Sequence, residues 1–201
     1  MRSVLNLGLI LALTLTVISC AKPPTQEMDA AQAAIDAAKA AEADVYAPDT
    51  YRQATSALSD ARSKVEQQDY EGAKTSAESA KQLADRSTSE ANTNKQQTRD
   101  EAQAIINRVA SGLTDARSSL GVAPRGKGAD GDLDQLNSDL GQAEASLGDA
   151  RNSLSTSKFK DALTQARSAD GKLSQVQNAV QMAMQKIEEW KKNNKPWFEK
   201  L

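Results

Sequence analysis

Residues 53–80, QATSALSDARSKVEQQDYEGAKTSAESA, decide the fold when they are set beside residues 142–169, QAEASLGDARNSLSTSKFKDALTQARSA. A displacement of 89 without a gap lays Gln53, Ala54, Leu58, Asp60, Ala61 and Arg62 over Gln142, Ala143, Leu147, Asp149, Ala150 and Arg151. It also lays Val65 over Leu154, Tyr70 over Phe159, and Ala73, Ala77 and Ala80 over Ala162, Ala166 and Ala169. Within each copy the apolar residues recur at three-four spacing, which keeps one stripe on one face of an α-helix. A turn is expected around Gln68 and Asp69, and agreement that survives a turn, with the Asp-Ala-Arg triplet intact, is hard to obtain from heptad periodicity alone. The stretch therefore predicts two related helical hairpins, each with an aromatic residue just past its turn.

Reading outward toward the N-terminus, a helix is expected over residues 26–45, with Met28, Ala31, Ile35, Ala38, Ala41 and Val45 on its seam. The seam slips once, because a strict heptad would place the charged Glu42 where Ala41 must serve. Tyr46-Ala47-Pro48-Asp49 ends it, since proline lacks an amide donor and biases the preceding residue away from the helix. A second helix over 49–67 carries Tyr51, Ala54, Leu58, Ala61 and Val65, and a third starts at Tyr70 with Ala73, Ala77, Ala80 and Ala84. Over 85–101 the seam turns polar at Ser87, Asn94 and Thr98, so the stretch is exposed helix or a joint. The pattern resumes at Ala102, Ile106, Val109, Leu113, Ala116 and Leu120. Residues 71–120 then form either one helix, about 75 Å long at 1.5 Å per residue, or two with a break near 92–97.

Toward the C-terminus, residues 121–131 hold Pro124 and four glycines and are the clear loop, the expected boundary between halves. Leu133, Leu136, Leu140, Ala143, Leu147, Ala150 and Leu154 make one seam beyond it. Phe159, Ala162, Ala166, Ala169, Leu173, Val176, Val180, Ala183, Ile187 and Trp190 make another. Seams of this period joined by short turns pack as near-antiparallel helices. The expected organisation is residues 1–19 as a leader, 20–25 as a spacer, 26–120 as a first helical region, 121–131 as the loop, 132–192 as the second hairpin and 193–201 as an aromatic and basic tail.

Composition agrees with an all-α class. The chain has seven aromatic residues in 201 and draws much of its apolar content from alanine, the best helix former. Large side chains are too few for a thick core, so an elongated, thin bundle is expected. No run of alternating β-branched residues argues for a strand. There is no histidine and a single cysteine, so one chain can form no disulfide, Cys/His zinc site or histidine-based triad. No cofactor and no enzymatic activity are expected. Acidic and basic residues alternate rather than segregate, which argues against nucleic acid as a partner.

That one cysteine ends Val17-Ile18-Ser19-Cys20, after an apolar run opened by Arg2. A basic start, an apolar core and small residues before the cut are the parts of an export signal. The run falls short of the roughly 20 residues a spanning helix needs, and Pro23 and Pro24 follow it. The four residues resemble the lipidation motif of bacterial lipoproteins: Leu/Val/Ile, a tolerant position, Ala/Ser/Gly, then cysteine. The resemblance implies cleavage between Ser19 and Cys20, lipidation of Cys20 and membrane attachment through that lipid. Removing residues 1–19 takes away Arg2 and no acidic residue, leaving 24 basic against 27 acidic side chains, a charge of −3. Ala21, rather than aspartate, after the cysteine favours the outer membrane, facing the periplasm.

A prolyl spacer, an alanine-rich helix, Tyr46-Ala47-Pro48 and Ala54-x-x-x-Leu58 following this cysteine resemble a family of envelope lipoproteins known only as a domain of unknown function. That likeness implies a helical envelope protein and assigns no catalytic residue. The aromatic-x-x-Ala-x-x-x-Ala pattern resembles tetratricopeptide hairpins in part, but the period of about 34 residues is absent.

Three further constellations are weak. Residues 121–128 approach a phosphate loop, but Gly128 stands where Ser/Thr should hold magnesium and Pro124 removes a cradle amide. Asp130, Asp132 and Asp134 imitate the start of a calcium loop, but Gln135 and Gly141 occupy its glycine and glutamate positions, and helix capping is the better account. Gly141 and Gly148 suggest close helix approach. At the C-terminus Trp190, Trp197 and Phe198 lie among lysines, a mixture found at membrane interfaces. They either pack over the end of the bundle, contact a partner or membrane, or belong to a disordered end.

Together these features predict a membrane-anchored, non-enzymatic scaffold, spacer or interaction module of the envelope with a protein partner. A glycan- or lipid-binding bundle and a self-associating coiled coil are the alternatives.

Overall fold

The computed structural model describes residues 22–122 and 130–193. Among them no strand occurs, and the chain forms α1 (Thr25–Ala40), α2 (Ala43–Tyr46), α3 (Pro48–Glu66), α4 (Tyr70–Gly121), α5 (Asp130–Ser155) and α6 (Phe159–Asn193). The protein is all-α. Two compact units divide between Asn92 and Thr93, inside α4. The division therefore does not fall at the glycine-rich stretch, which instead links α4 to α5 within the second unit.

In the first unit α1 carries Glu27 in its first turn and Lys39 in its last, both favourable to the helix dipole. It stops five residues short of the expected Val45. The amides of Ala41 and Glu42 bond back to the carbonyls of Ala37 and Lys39, and Glu42 enters the left-handed region at φ 60°. The slip in the seam is thus a physical break. It rotates the next residues, so that Ala43, Tyr46 and Ala47 are buried while Val45 is 40% exposed. Pro48 opens α3 in the first turn, where its missing amide costs nothing. Arg62 donates to Gln32 at 2.7 Å, and Lys74 lies 3.7 Å from Glu27. Accordingly α1 runs antiparallel to α3 and parallel to the start of α4. The core between them is mainly alanine, with Ile35, Tyr46 and Leu58 as its large members.

The two hairpin turns are the same structure. After α3 the amide of Gln68 bonds to Val65 O and that of Asp69 to Lys64 O; after α5 the amide of Ser157 bonds to Leu154 O and that of Lys158 to Ser153 O. These two pairs of bonds define a Schellman motif, and each pair is displaced from the other by 89. The left-handed residue is Gln68 (φ 62°) in one and Ser157 (φ 61°) in the other, positions where glycine is usual. The turn also starts the next helix, since Ala73 and Ala162 donate to the carbonyls of Asp69 and Lys158. In the first copy the Asp69 carboxylate caps Gly72 N at 3.0 Å.

Helix α4 is unbroken. Ser87 is fully buried, its hydroxyl donating to Ala84 O at 2.9 Å, so it belongs to the first core and not to an exposed joint. From Asn92 to Glu101 no residue is buried. This solvated stretch keeps its helix with local bonds, Gln96 to Asp100 at 2.9 Å and Thr98 to Asn94 O at 2.7 Å. Of the two alternatives for this stretch, exposed helix or a joint, the first holds: it is an exposed segment of one helix.

The second unit repeats the plan of the first. Buried Ala102, Ile106, Val109, Leu113 and Ala116 match Pro24, Met28, Ala31, Ile35 and Ala38 at a displacement of 78, of which Met28 is partly buried. Each unit is thus one leading helix followed by a hairpin. The hairpins are displaced by 89 and the leading helices by 78, so the connection between them is 11 residues longer in the second unit. Arg108 binds Asp170 at 2.7 Å, Arg167 binds Glu101 at 2.5 Å and Arg117 binds Glu144 at 2.7 Å, tying α4 to α6 and to α5. Leucine, isoleucine and valine replace alanine over much of this core: Leu173, Val176 and Val180 stand where the first unit has Ala84, Ser87 and Ala91.

Close approach occurs at Gly112, not at Gly141 or Gly148. A Cβ on Gly112 would lie 2.5 Å from Leu173 Cδ2, whereas one on Gly141 or Gly148 would meet nothing within 4 Å. Their cost is therefore uncompensated. Gly141→Ala and Gly148→Ala are expected to stabilise the second unit by about 1 kcal/mol each, read as a rise in denaturation midpoint. Gly112→Ala should gain less or lose stability, because Leu173 has to move.

Candidate functional site

The α6 seam runs beyond the core that it builds. Leu173, Val176 and Val180 are buried, Val180 being the last, while Ala183 and Ile187 are only partly covered and Trp190 is 58% exposed. Gly112 faces Leu173, a displacement of 61 between the parallel helices, so the end of α4 at Gly121 lies level with residue 182. Some eleven residues of α6 extend past that level, about 16 Å at 1.5 Å per residue. Five large apolar side chains are exposed among the described residues, and four of them gather at this end of the second unit: Val122 (75%), Met182 (57%), Met184 and Trp190.

Of the residues singled out in the sequence, only Trp190 can be placed. Ser19, Cys20, Trp197 and Phe198 lie outside the described residues. Trp190 does not close the seam inside the bundle. Met182 and Met184 escaped the sequence reading because they flank the three-four stripe on either side; the detectable signal was a pair of large apolar residues off the seam of a helix otherwise polar there.

The other constellations come apart. Helix α5 already begins at Asp130, so the backbone of Asp130, Asp132 and Asp134 is helical rather than a calcium loop, and the described residues contain no cluster able to hold a metal. Most of the phosphate-loop likeness lies outside the described residues. No described helix is long and apolar enough to cross a membrane.

The ionisable groups with shifted affinity for protons join helices. Asp60 is held below the ordinary carboxylate range first by the hydrogen bond from Lys64 (2.8 Å) and then by that from Ser76 (2.6 Å). Glu90 is lowered by the Thr50 hydroxyl (2.5 Å) and then by Arg86 (2.7 Å). Asp170 raises the Arg108 guanidinium. The first network has a degraded copy: Asp60, Lys64 and Ser76 correspond to Asp149, Ser153 and Gln165. Without a lysine at 153, buried Gln165 Oε1 has no hydrogen-bond partner.

Both shifted carboxylates belong to the first unit and both are depressed, so their contribution is present above the unfolded carboxylate pKa and disappears as pH falls through the lower folded value. The melting temperature should decline on acidification into and below the ordinary carboxylate range. An Asp60→Asn, Glu90→Gln variant should show a flatter acid limb in a thermal scan followed by circular dichroism.

The first unit is thus a helix, a proline-started helix and the beginning of a long one. Residues 26–105 match the family Domain of unknown function (DUF4398). The DUF4398 match takes in α1, α2, α3 and α4 as far as Ile105, hence the described first unit from residue 26 and the solvated stretch after it. It leaves α5 and α6, and with them the exposed apolar end, outside DUF4398. No curated protein and no solved structure matches the chain.

Proposed function

We propose that the protein is a lipoprotein of the bacterial envelope, anchored through a lipidated Cys20, whose two helical units serve as a non-enzymatic scaffold or spacer. The observation that carries the reading is α4, which passes from the first unit into the second as one uninterrupted helix with a solvated stretch at 92–101. A connection of this kind suits a part that presents binding surfaces away from an anchor. Support also comes from the shifted groups, each of which bridges two helices, Asp60 to Ser76, Glu90 to Thr50 and Arg108 to Asp170. Ala21 after the cysteine supports attachment to the outer membrane on its periplasmic side. The test is crosslinking in intact cells followed by identification of neighbours. A scaffold yields the same protein neighbours in repeated experiments, and their absence would sink the reading.

A further inference from the structure

We propose that the projecting end of α6 is a second membrane-contact site, which docks on an anionic lipid surface. The proposal rests on the reading of the protein as an anchored lipoprotein, to which it adds a partner for the opposite end of the chain. The apolar element is the continuation of the core stripe through Ile187 and Trp190, widened by exposed Met182 and Met184. Charge chooses the occupant. At 100° per residue Lys186 borders the stripe, while Glu188 and Glu189 fall on the opposite face. An apolar stripe edged by lysine and bearing tryptophan is the arrangement that lies in a lipid interface, the ring at headgroup depth and the ammonium groups toward phosphate.

The same borders disfavour a second copy of the chain. Laying this stripe antiparallel on its equivalent would set Lys186 against Lys186 of the copy, and like charges at those positions oppose association. Three turns of helix bind a bilayer only weakly alone.

Both tryptophans, Trp190 and Trp197, lie in the last twelve residues, so tryptophan emission reports this segment even when the N-terminus is already anchored. The full lipid-bearing chain would be reconstituted on vesicles of phosphatidylcholine alone and of equal parts phosphatidylcholine and phosphatidylglycerol. Docking predicts a blue shift and quenching by brominated acyl chains on the anionic vesicles only. Each lysine near such a surface is worth about fivefold in binding, so replacing Lys186, Lys191 and Lys192 by glutamine should weaken partition about a hundredfold and abolish the shift. Emission that is unchanged on anionic vesicles overturns the proposal, and so does a blue shift that grows with protein concentration without lipid, which would mark self-association. Flotation of the same samples on phosphatidylcholine reads the N-terminal anchor separately. A chain that floats with silent tryptophans loses only the docking site, and one that fails to float there yet shifts on anionic lipid loses only the anchor.

Discussion

Shortening Leu140 to alanine is expected to cost about 3 kcal/mol and to open the second unit while the first stays closed. Leu140 is 1% exposed, at the centre of the α5 seam between Leu136 and Ala143. Truncating such a leucine removes its transfer free energy and leaves a cavity, which together cost about 2–5 kcal/mol. That is a large part of the about 5–15 kcal/mol that holds an ordinary domain together. Alanine already lines the seam at Ala143 and Ala150, so no neighbouring large side chain on α5 can swing in to fill the space. Because the buried cluster around Leu140 contains no residue before Ile105, amide exchange should accelerate over 130–155 and remain slow over 48–66. The three tyrosines, at 46, 51 and 70, all belong to the first unit, so near-ultraviolet circular dichroism from tyrosine gives an independent check that this unit is untouched. Equal loss of protection in both units would mean that they unfold as one.

The hairpins were legible in the sequence because their information is redundant. The stripe, the turn and the aromatic after it all repeat at 89, and the turn hydrogen bonds obey the same displacement. What escaped was decided by backbone conformation at residues with no sequence signature. Glu42 adopts a left-handed conformation that its side chain does not advertise, and the seam slip at Ala41 was the only trace of it. Ser87 reads as polar, but a helical serine can return its hydroxyl to a carbonyl in the preceding turn and be buried at little cost. The glycine-rich stretch drew attention as a boundary because glycine and proline usually mark one, whereas the units divide between Asn92 and Thr93, within a run of α4 from residue 73 to 111 that contains neither. The kinship of the leading helices was hidden by size, since Ala31 and Ile35 face Val109 and Leu113 in the comparison. At the projecting end the seam was read correctly as periodic, but periodicity does not say where the partner helices stop.

Replacing Cys20 by serine should have the largest effect on where the protein is found, and the expected result is complete loss of fatty-acid label with retention of residues 1–19. Each acyl chain contributes about 0.8 kcal/mol per buried methylene, yet one chain alone gives only marginal, reversible binding, so the proposed anchorage would need several chains held by this one residue. Membrane fractionation by itself would mislead. An uncut variant still carries the apolar run from Val4 to Ile18, and the docking site proposed on α6 would add its own weak attraction for anionic lipid. Incorporation of labelled palmitate and the mass of the mature chain avoid both ambiguities, because neither depends on how the polypeptide partitions. Label that survives the substitution, or an unchanged cut, would show that Cys20 is not the lipidated residue. If label is lost while tryptophan emission on phosphatidylglycerol vesicles is preserved, the two ends of the chain are independent membrane contacts of different strength, one covalent and one set by Lys186 and the stripe beside it.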